Sequence, residues 1–236
     1  MGWLDSLLNA LSSAESLTEE QRGRLAAWRA LPAVDLDLSH GQSRYVVVDV
    51  ETSGLNPDKD HLISIGAIAV QGEQIDPLDA FEVVLRQDVA SSNANILVHG
   101  IGGSAQREGE DPAEALLKFL EFVGKSPLIA YHTFFDQTVI DRAAKKHLHL
   151  RPHLPWIDLA WVLPELLGSP QDAISGLDPW LERFGIENFQ RHNAVADCYA
   201  TAQLLQIVLR KSLEVEADSP QGLLLIERSR RHLRSH

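Results

Sequence analysis

Four acids and one imidazole, spread along a chain of 236 residues, carry the chemical potential of this sequence. Asp49 and Glu51 stand two residues apart at the end of a β-branched run, Tyr45-Val46-Val47-Val48. Such a run reads as a buried strand. Side chains two apart on a strand project to the same face. Two neighbouring carboxylates repel each other, and burying them without a cation is costly. Hard oxygen donors so placed suit Mg²⁺ or Mn²⁺; the alternative is that one caps a turn and the other is solvated. Asp136 follows Ala130-Tyr131-His132-Thr133-Phe134-Phe135, just past one strand and at a helix start, where alone it would serve as an N-cap. His192 precedes the longest helix expected, and Asp197 lies in that helix's first turns. Together the four carboxylates have the charge to hold a pair of divalent cations, beside an imidazole able to take a proton from water.

In order and spacing, Asp49, Glu51, Asp136, His192 and Asp197 resemble the signature of the DEDDh 3′→5′ exonucleases. The sequence resembles in particular the exonuclease domain of the DNA polymerase III epsilon subunit, and more distantly ribonuclease T and oligoribonuclease. The likeness runs from about Arg44 to Arg210, with support from Val98-His99-Gly100-Ile101 and Trp156-Ile157-Asp158. It implies an α/β, ribonuclease-H-like fold: a five-stranded mixed sheet with helices on both faces. It also implies two divalent cations, Mg²⁺ or Mn²⁺, on Asp49, Glu51, Asp136 and Asp197, with His192 as general base. Such a pair of ions can hold both the attacking water and the departing 3′-oxygen of a phosphodiester.

The same resemblance puts Thr52, Leu55, His99 and Phe135 around a 3′-terminal nucleotide, Leu55 as a wedge and Phe135 as a packing surface. Leu55 and Phe135 fit an ordinary core equally well, and His99 a plain loop. Tyr131-His132 departs from the family's usual His-Asn, which bears on substrate preference more than on catalysis. The expected activity is release of nucleoside 5′-monophosphates from single-stranded or frayed DNA ends. RNA ends are the alternative substrate, since no residue commits visibly to the 2′-OH; the His-Gly-Ile segment favours DNA. A binding module of the same fold without turnover is the alternative of another class. A DNA polymerase or a sliding clamp stands open as a partner, as does the oligomeric state.

The elements that must position these groups follow from pattern. Strands are expected at 45–48, 61–70 and 80–85, with turns at Gly72 and at Asp76-Pro77. Asp111-Pro112 opens a helix to about Val123, with Asp as cap and Pro at the first position. Further strands are expected at 127–131 and 156–157, and helices at 136–147, from 157 through 166, at 177–184 and at 194–211. Three strands followed by alternating helix and strand imply a mixed sheet covered by helices. Residues 1–40 read as a helical extension: Trp3, Leu4, Leu7, Leu8 and Leu11 recur at helical spacing, and Thr18 with Gln21 forms a capping-box signature ahead of Leu25, Trp28 and Leu31. The expected exonuclease domain is 44–211 and the C-terminal extension 212–236. In that extension Gln221 before a leucine run is a faint sliding-clamp-peptide pattern, and Arg228, Arg230, Arg231 and Arg234 read as a solvated basic end. Arg142, Lys145, Lys146, His147, His149 and Arg151 form a basic cluster, either a track for a strand backbone or a solvated helix face.

Composition bounds the rest. The apolar fraction of 44% supports a sizeable core. A single cysteine, Cys198, excludes an internal disulfide framework and fits a reducing cytoplasm. No stretch has the roughly 20 apolar residues of a bilayer span. A net charge of −12 opposes long-range attraction to a phosphate polymer, so binding to one must be local and assisted by cations.

Overall fold

The computed structural model describes residues 17–168, 176–189 and 191–234. Its centre is a five-stranded sheet of order β3-β2-β1-β4-β5. Strands β1 (Arg44–Thr52), β2 (Leu62–Gln71) and β3 (Gln74–Val84) are antiparallel neighbours. The short strands β4 (Leu128–Ala130) and β5 (Trp156–Asp158) run parallel to β1. In chain order the described helices are α1 (Glu19–Ala30), α2 (Asn93–His99), α3 (Gly103–Arg107), α4 (Pro112–Val123), α5 (Thr133–His147), α6 (Leu159–Leu167), α7 (Asp178–Arg183), α8 (Ala194–Leu213) and α9 (Pro220–Arg234). The sheet is mixed and carries helices on both faces, the ribonuclease-H-like arrangement that the five residues implied.

Strand β1 sorts its side chains by parity. Val46, Val48 and Val50 join one core with Leu116, Leu117 and Leu120 of α4 and Val139 and Ile140 of α5. Tyr45 and Val47 join the other, with Val162 and Leu163 of α6 and Leu204, Leu205, Val208 and Leu209 of α8. Asp49 and Glu51 continue the odd series, so the face that is apolar at the start of β1 becomes acidic at its end, over the start of α8.

Several boundaries differ from the expectations. Strand β3 begins at Gln74, so Asp76-Pro77 lies inside it and is not a turn. Proline is tolerated there because β3 is an edge strand, and the ladder shifts register between Ile68 and Val70. The hairpin turn is Gly72-Glu73, both at positive φ (55° and 63°), the geometry of a two-residue primed turn. Helix α5 starts at Thr133, so Asp136 is its fourth residue rather than its cap. Helices α2 and α3 are too short to show a period and were not anticipated.

The described parts of the two extensions pack on the core. Thr18 and Gln21 form the expected capping box. Leu25 and Trp28 are buried against the sheet's first core, and the Trp28 indole N–H donates to the Gly124 carbonyl at 2.8 Å. The expected helix over Trp3 to Leu11 lies outside the described residues. Helix α9 places Leu223 in the second core, so the Gln221 segment is not a free peptide for a clamp. Its basic end is paired rather than solvated at Arg230 and Arg231, which bridge to Glu165, Glu227 and Asp158.

Candidate active site

Strand β4 pairs with β1 only at Val46 and Val47. Beyond that point the edge of β1 is open, and the carboxylate of Asp136, arriving from α5, accepts the backbone N–H of Val50. On the other side of β1, Gly66 of β2 sits in register with Asp49. A Cβ at Gly66 would lie 2.5 Å from the Ala194 carbonyl carbon and 2.7 Å from the Val195 nitrogen. Only glycine admits so close an approach, and it lets the first turn of α8 rest on the sheet. Asp197, fourth in α8, thereby reaches the strand acids. Oxygens of Asp49, Glu51 and Asp197 all lie within 4.8 Å of one another. Asp136 stands outside this tight trio but is near enough to act on Asp49 and Glu51 electrostatically.

So much like charge in one pocket must be offset. Burial, then the charges of Asp136, Asp197 and Glu51, push the Asp49 carboxyl well above the usual range. Burial, then Asp197 and Asp136, raises Glu51 to about 8. Burial also raises Asp136, although the N–H of Val50 works against it. Asp197 is held by donors: Asn188 Nδ2 at 2.5 Å and Arg191 Nη1 at 2.7 Å on Oδ1, and the His192 N–H at 2.9 Å on Oδ2. Arg191 also bridges to Asp178 at 3.0 Å. A partly buried cluster of oxygen donors, in which Asp49, Glu51 and Asp136 resist ionisation for want of positive charge, fits a hard divalent cation.

Asp49, Glu51, Tyr131, Leu177, Arg191, His192, Asp197 and Thr201 line one concavity of about 230 Å³. His192 is exposed, with φ 60°, just ahead of the Asn193 cap of α8. The nearby Cys198 thiol is buried, donates to the Gly66 carbonyl at 3.3 Å and is pushed well up by burial, so it is no nucleophile.

The four residues expected around a terminal nucleotide are placed unevenly. Leu55 is 93% exposed in the loop after β1. Thr52 ends β1, and its hydroxyl is used on the Gly54 carbonyl at 2.6 Å. His99 is buried at the end of α2, its Nδ1 accepting from the Ile101 N–H at 3.0 Å and its Nε2 3.3 Å from Ser91 Oγ. Phe135 packs partly buried on the first core, while its neighbour Phe134 is 70% exposed. In the basic cluster, Arg142 binds the carbonyls of Pro57 and Asp60 and so fastens the loop after β1; Lys145, Lys146, His149 and Arg151 are exposed. Arg191, Asn188 and Gly66 were not anticipated. Arg191, adjacent to His192 in an acidic chain, was the one legible signal among them.

Comparisons with known proteins agree with this picture. The sequence profile of the RNase_T family, described as Exonuclease, matches residues 46–205. The chain is 30% identical over 168 residues to the DNA polymerase III PolC-type of Thermotoga maritima, covering 71% of this chain and 12% of that protein. It is 30% identical over 177 residues to the same protein of Bacillus subtilis, covering 73% and 12%. The chain thus spans about an eighth of the length of these relatives. Among solved structures it is similar to an E. coli ExoI–ssDNA complex in zinc-bound form (TM-score 0.63, 22% identity, 72% of this chain and 41% of that one). Exonuclease I from Methylocaldum szegediense is similar too (TM-score 0.58, 20% identity, 71% and 40%). At these identities the structural likeness speaks for the fold.

Proposed function

Since the chain belongs to the RNase_T exonuclease family, we propose that it hydrolyses DNA from the 3′ end, releasing nucleoside 5′-monophosphates from single-stranded or frayed termini. The observation that carries the proposal is the convergence of Asp49, Glu51 and Asp197 within 4.8 Å, with Asp136 beside them and His192 on the rim. Two divalent cations, Mg²⁺ or Mn²⁺, held by the four carboxylates would supply Lewis acidity at the attacking and departing oxygens. Asp197 is held in orientation by Asn188, Arg191 and the His192 N–H, while Asp49 and Glu51 give up protons to accept positive charge. His192, exposed and anchored through its backbone to Asp197, accepts the proton of the attacking water. Leu55 and Phe134, both exposed near the strand and helix that carry the acids, offer apolar surface to unpaired bases.

DNA is favoured over RNA by the PolC-type relatives, whose name is that of a DNA polymerase, and by the single-stranded DNA in the ExoI complex. The same relatives make a polymerase the first partner to test. Among the described residues no helix is long and apolar enough to cross a membrane. The test uses DNA and RNA oligomers labelled at the 5′ end, so that shortening is read as a ladder, with Mn²⁺ or with EDTA. Stepwise shortening of DNA from the 3′ end, abolished by EDTA, is expected. Degradation of RNA alone would overturn the substrate, and binding without cleavage would overturn the activity.

A further inference from the structure

The start of α5 holds a left-handed backbone conformation, which is costly for a residue with a Cβ. His132 has φ 67° and ψ 56°, the left-handed region. For a residue with a Cβ this costs about 1–2 kcal/mol, and such a turn persists only where its surroundings over-determine it. Here they do so through Asp158, which is 2% exposed at the end of β5. Its Oδ1 accepts the His132 N–H at 2.9 Å and the Ala160 N–H at 3.0 Å, and its Oδ2 lies 3.4 Å from the Thr133 hydroxyl.

A carboxylate buried so deeply needs a counter-charge, and it comes from the C-terminal helix. Arg231 Nη2 donates to Asp158 Oδ2 at 2.9 Å, and Arg231 Nε to Glu227 Oε1 at 2.8 Å. Glu227 Oε2 accepts the Asp158 backbone N–H at 2.8 Å. The Arg231 guanidinium also lies 4.7 Å over the Trp161 ring, and Arg230 bridges α9 to Glu165 of α6 at 2.8 Å. Glu227, Arg230 and Arg231 lie beyond residue 205, outside the stretch that matches the exonuclease family. On either side of the held turn stand Tyr131, which lines the site, and Asp136, one turn into α5.

We propose that Glu227 and Arg231 are positioning residues for catalysis. Helix α9 fixes Asp158, Asp158 fixes the left-handed turn at His132, and the turn sets where α5 presents Asp136 to β1. The activity arm of this inference rests on the exonuclease reading above; the exchange arm does not.

The test compares the full chain with Arg231→Ala, with Arg231→Lys and with Arg231→Ala combined with His132→Asn. Among residues with a Cβ, asparagine and aspartate visit the left-handed region most routinely, because the short polar side chain bonds the local backbone, so asparagine lessens the turn's need for an outside brace. Arg231→Ala is expected to lower kcat per folded molecule by roughly 10- to 100-fold, the usual worth of a residue that orients a ligand through another group, with KM little changed. Arg231→Lys keeps part of the rate. His132→Asn restores most of the rate in the Arg231→Ala background without restoring its melting temperature. Hydrogen exchange on these variants, read without substrate, should quicken at His132 and Thr133 while the amides of α8 stay protected. An Arg231→Ala protein that keeps wild-type kcat, or a loss that His132→Asn does not relieve, overturns the proposal. If the wild-type chain cuts no nucleic acid the exonuclease reading fails, and exchange at His132 still decides whether the brace exists.

Discussion

Asp49 on β1 and Asp197 on α8 meet in one pocket, and their surroundings differ in kind. Asp197 is satisfied within the protein: a guanidinium, an amide and a backbone N–H converge on its two oxygens. Asp49 faces three other acids, with Arg191 as a secondary relief, and is pushed toward its protonated form. One wall of the site is therefore finished before any ligand arrives, and the other is left short of positive charge. On the proposed reading the two walls would take different roles: α8 an oriented donor, and β1 the electrostatic demand that draws a cation in.

The sharpest way to break this comparison is to neutralise each wall in turn. Asp49→Asn and Asp197→Asn should both reduce turnover by several kcal/mol, about 10³-fold or more, because on the proposed reading each removes a cation ligand. Their effects on stability should have opposite signs. At pH 8, without divalent ions, Asp49→Asn relieves repulsion and raises the melting temperature. Asp197→Asn strands the donors gathered on it and costs about 1–3 kcal/mol. Denaturant titrations in EDTA decide between these; two shifts of the same sign would dissolve the contrast between the walls. His192→Ala comes next, with a loss of roughly 10²- to 10⁴-fold in kcat, the usual contribution of a general base. A pH–rate profile unchanged in shape would remove His192 from that role.

The contrast also marks what the sequence made legible. Asp49 and Glu51 were readable because strand alternation alone puts them on one face, and β1 confirms it. Asp136, His192 and Asp197 were locally bland, each compatible with a helix terminus, and gained meaning only as an ordered set. The mixed sheet and its covering helices followed from β-branched runs and helical periods. The start of α5 was misplaced by three residues, because His132 begins it from a left-handed conformation that no sequence pattern marks, its N–H held by the distant Asp158. Asp76-Pro77 read as a turn because proline usually breaks a ladder, whereas an edge strand with a register shift absorbs it. Asn188 and Arg191 were passed over because their importance lies in contacts with Asp197 that no local pattern encodes.

Gly66 tests the geometry that joins the two walls. Gly66→Ala puts a methyl 2.5 Å from the backbone of Ala194. Helix α8 must then lift, at a cost of about 1–3 kcal/mol in stability, and Asp197 withdraws from Asp49 and Glu51. Weaker Mn²⁺ binding by calorimetry is expected alongside the lower melting temperature. A stable variant with unaltered Mn²⁺ affinity would show that the close approach of β2 and α8 does not position the acids.

The smallest effect expected is on the pH dependence of stability, and it isolates the unfinished wall. Burial, with Asp197 and Asp136 beside it, raises the Glu51 carboxyl from 4.5 to about 8 in the folded protein. Between those values the folded state holds a proton that the unfolded state has lost. Stability without divalent ions therefore falls as pH rises from about 4.5 toward 8, then levels off. Asp49 and Asp136 are shifted the same way and add to the slope. For Glu51, which is half-buried, the contribution is about 1–2 kcal/mol once solvent screening is allowed for. Other groups also titrate across this range, so the informative quantity is the difference between wild type and Glu51→Gln, which should narrow at pH 5 and widen at pH 8 in favour of the variant. Mn²⁺ at a hundredfold excess over its Kd should reverse the wild-type deficit by about 2.7 kcal/mol and bind more tightly as pH rises, because the ion replaces the protons. Equal slopes for wild type and Glu51→Gln in EDTA would mean that Glu51 carries no unmet charge, and the demand of this wall would then rest on Asp49 alone.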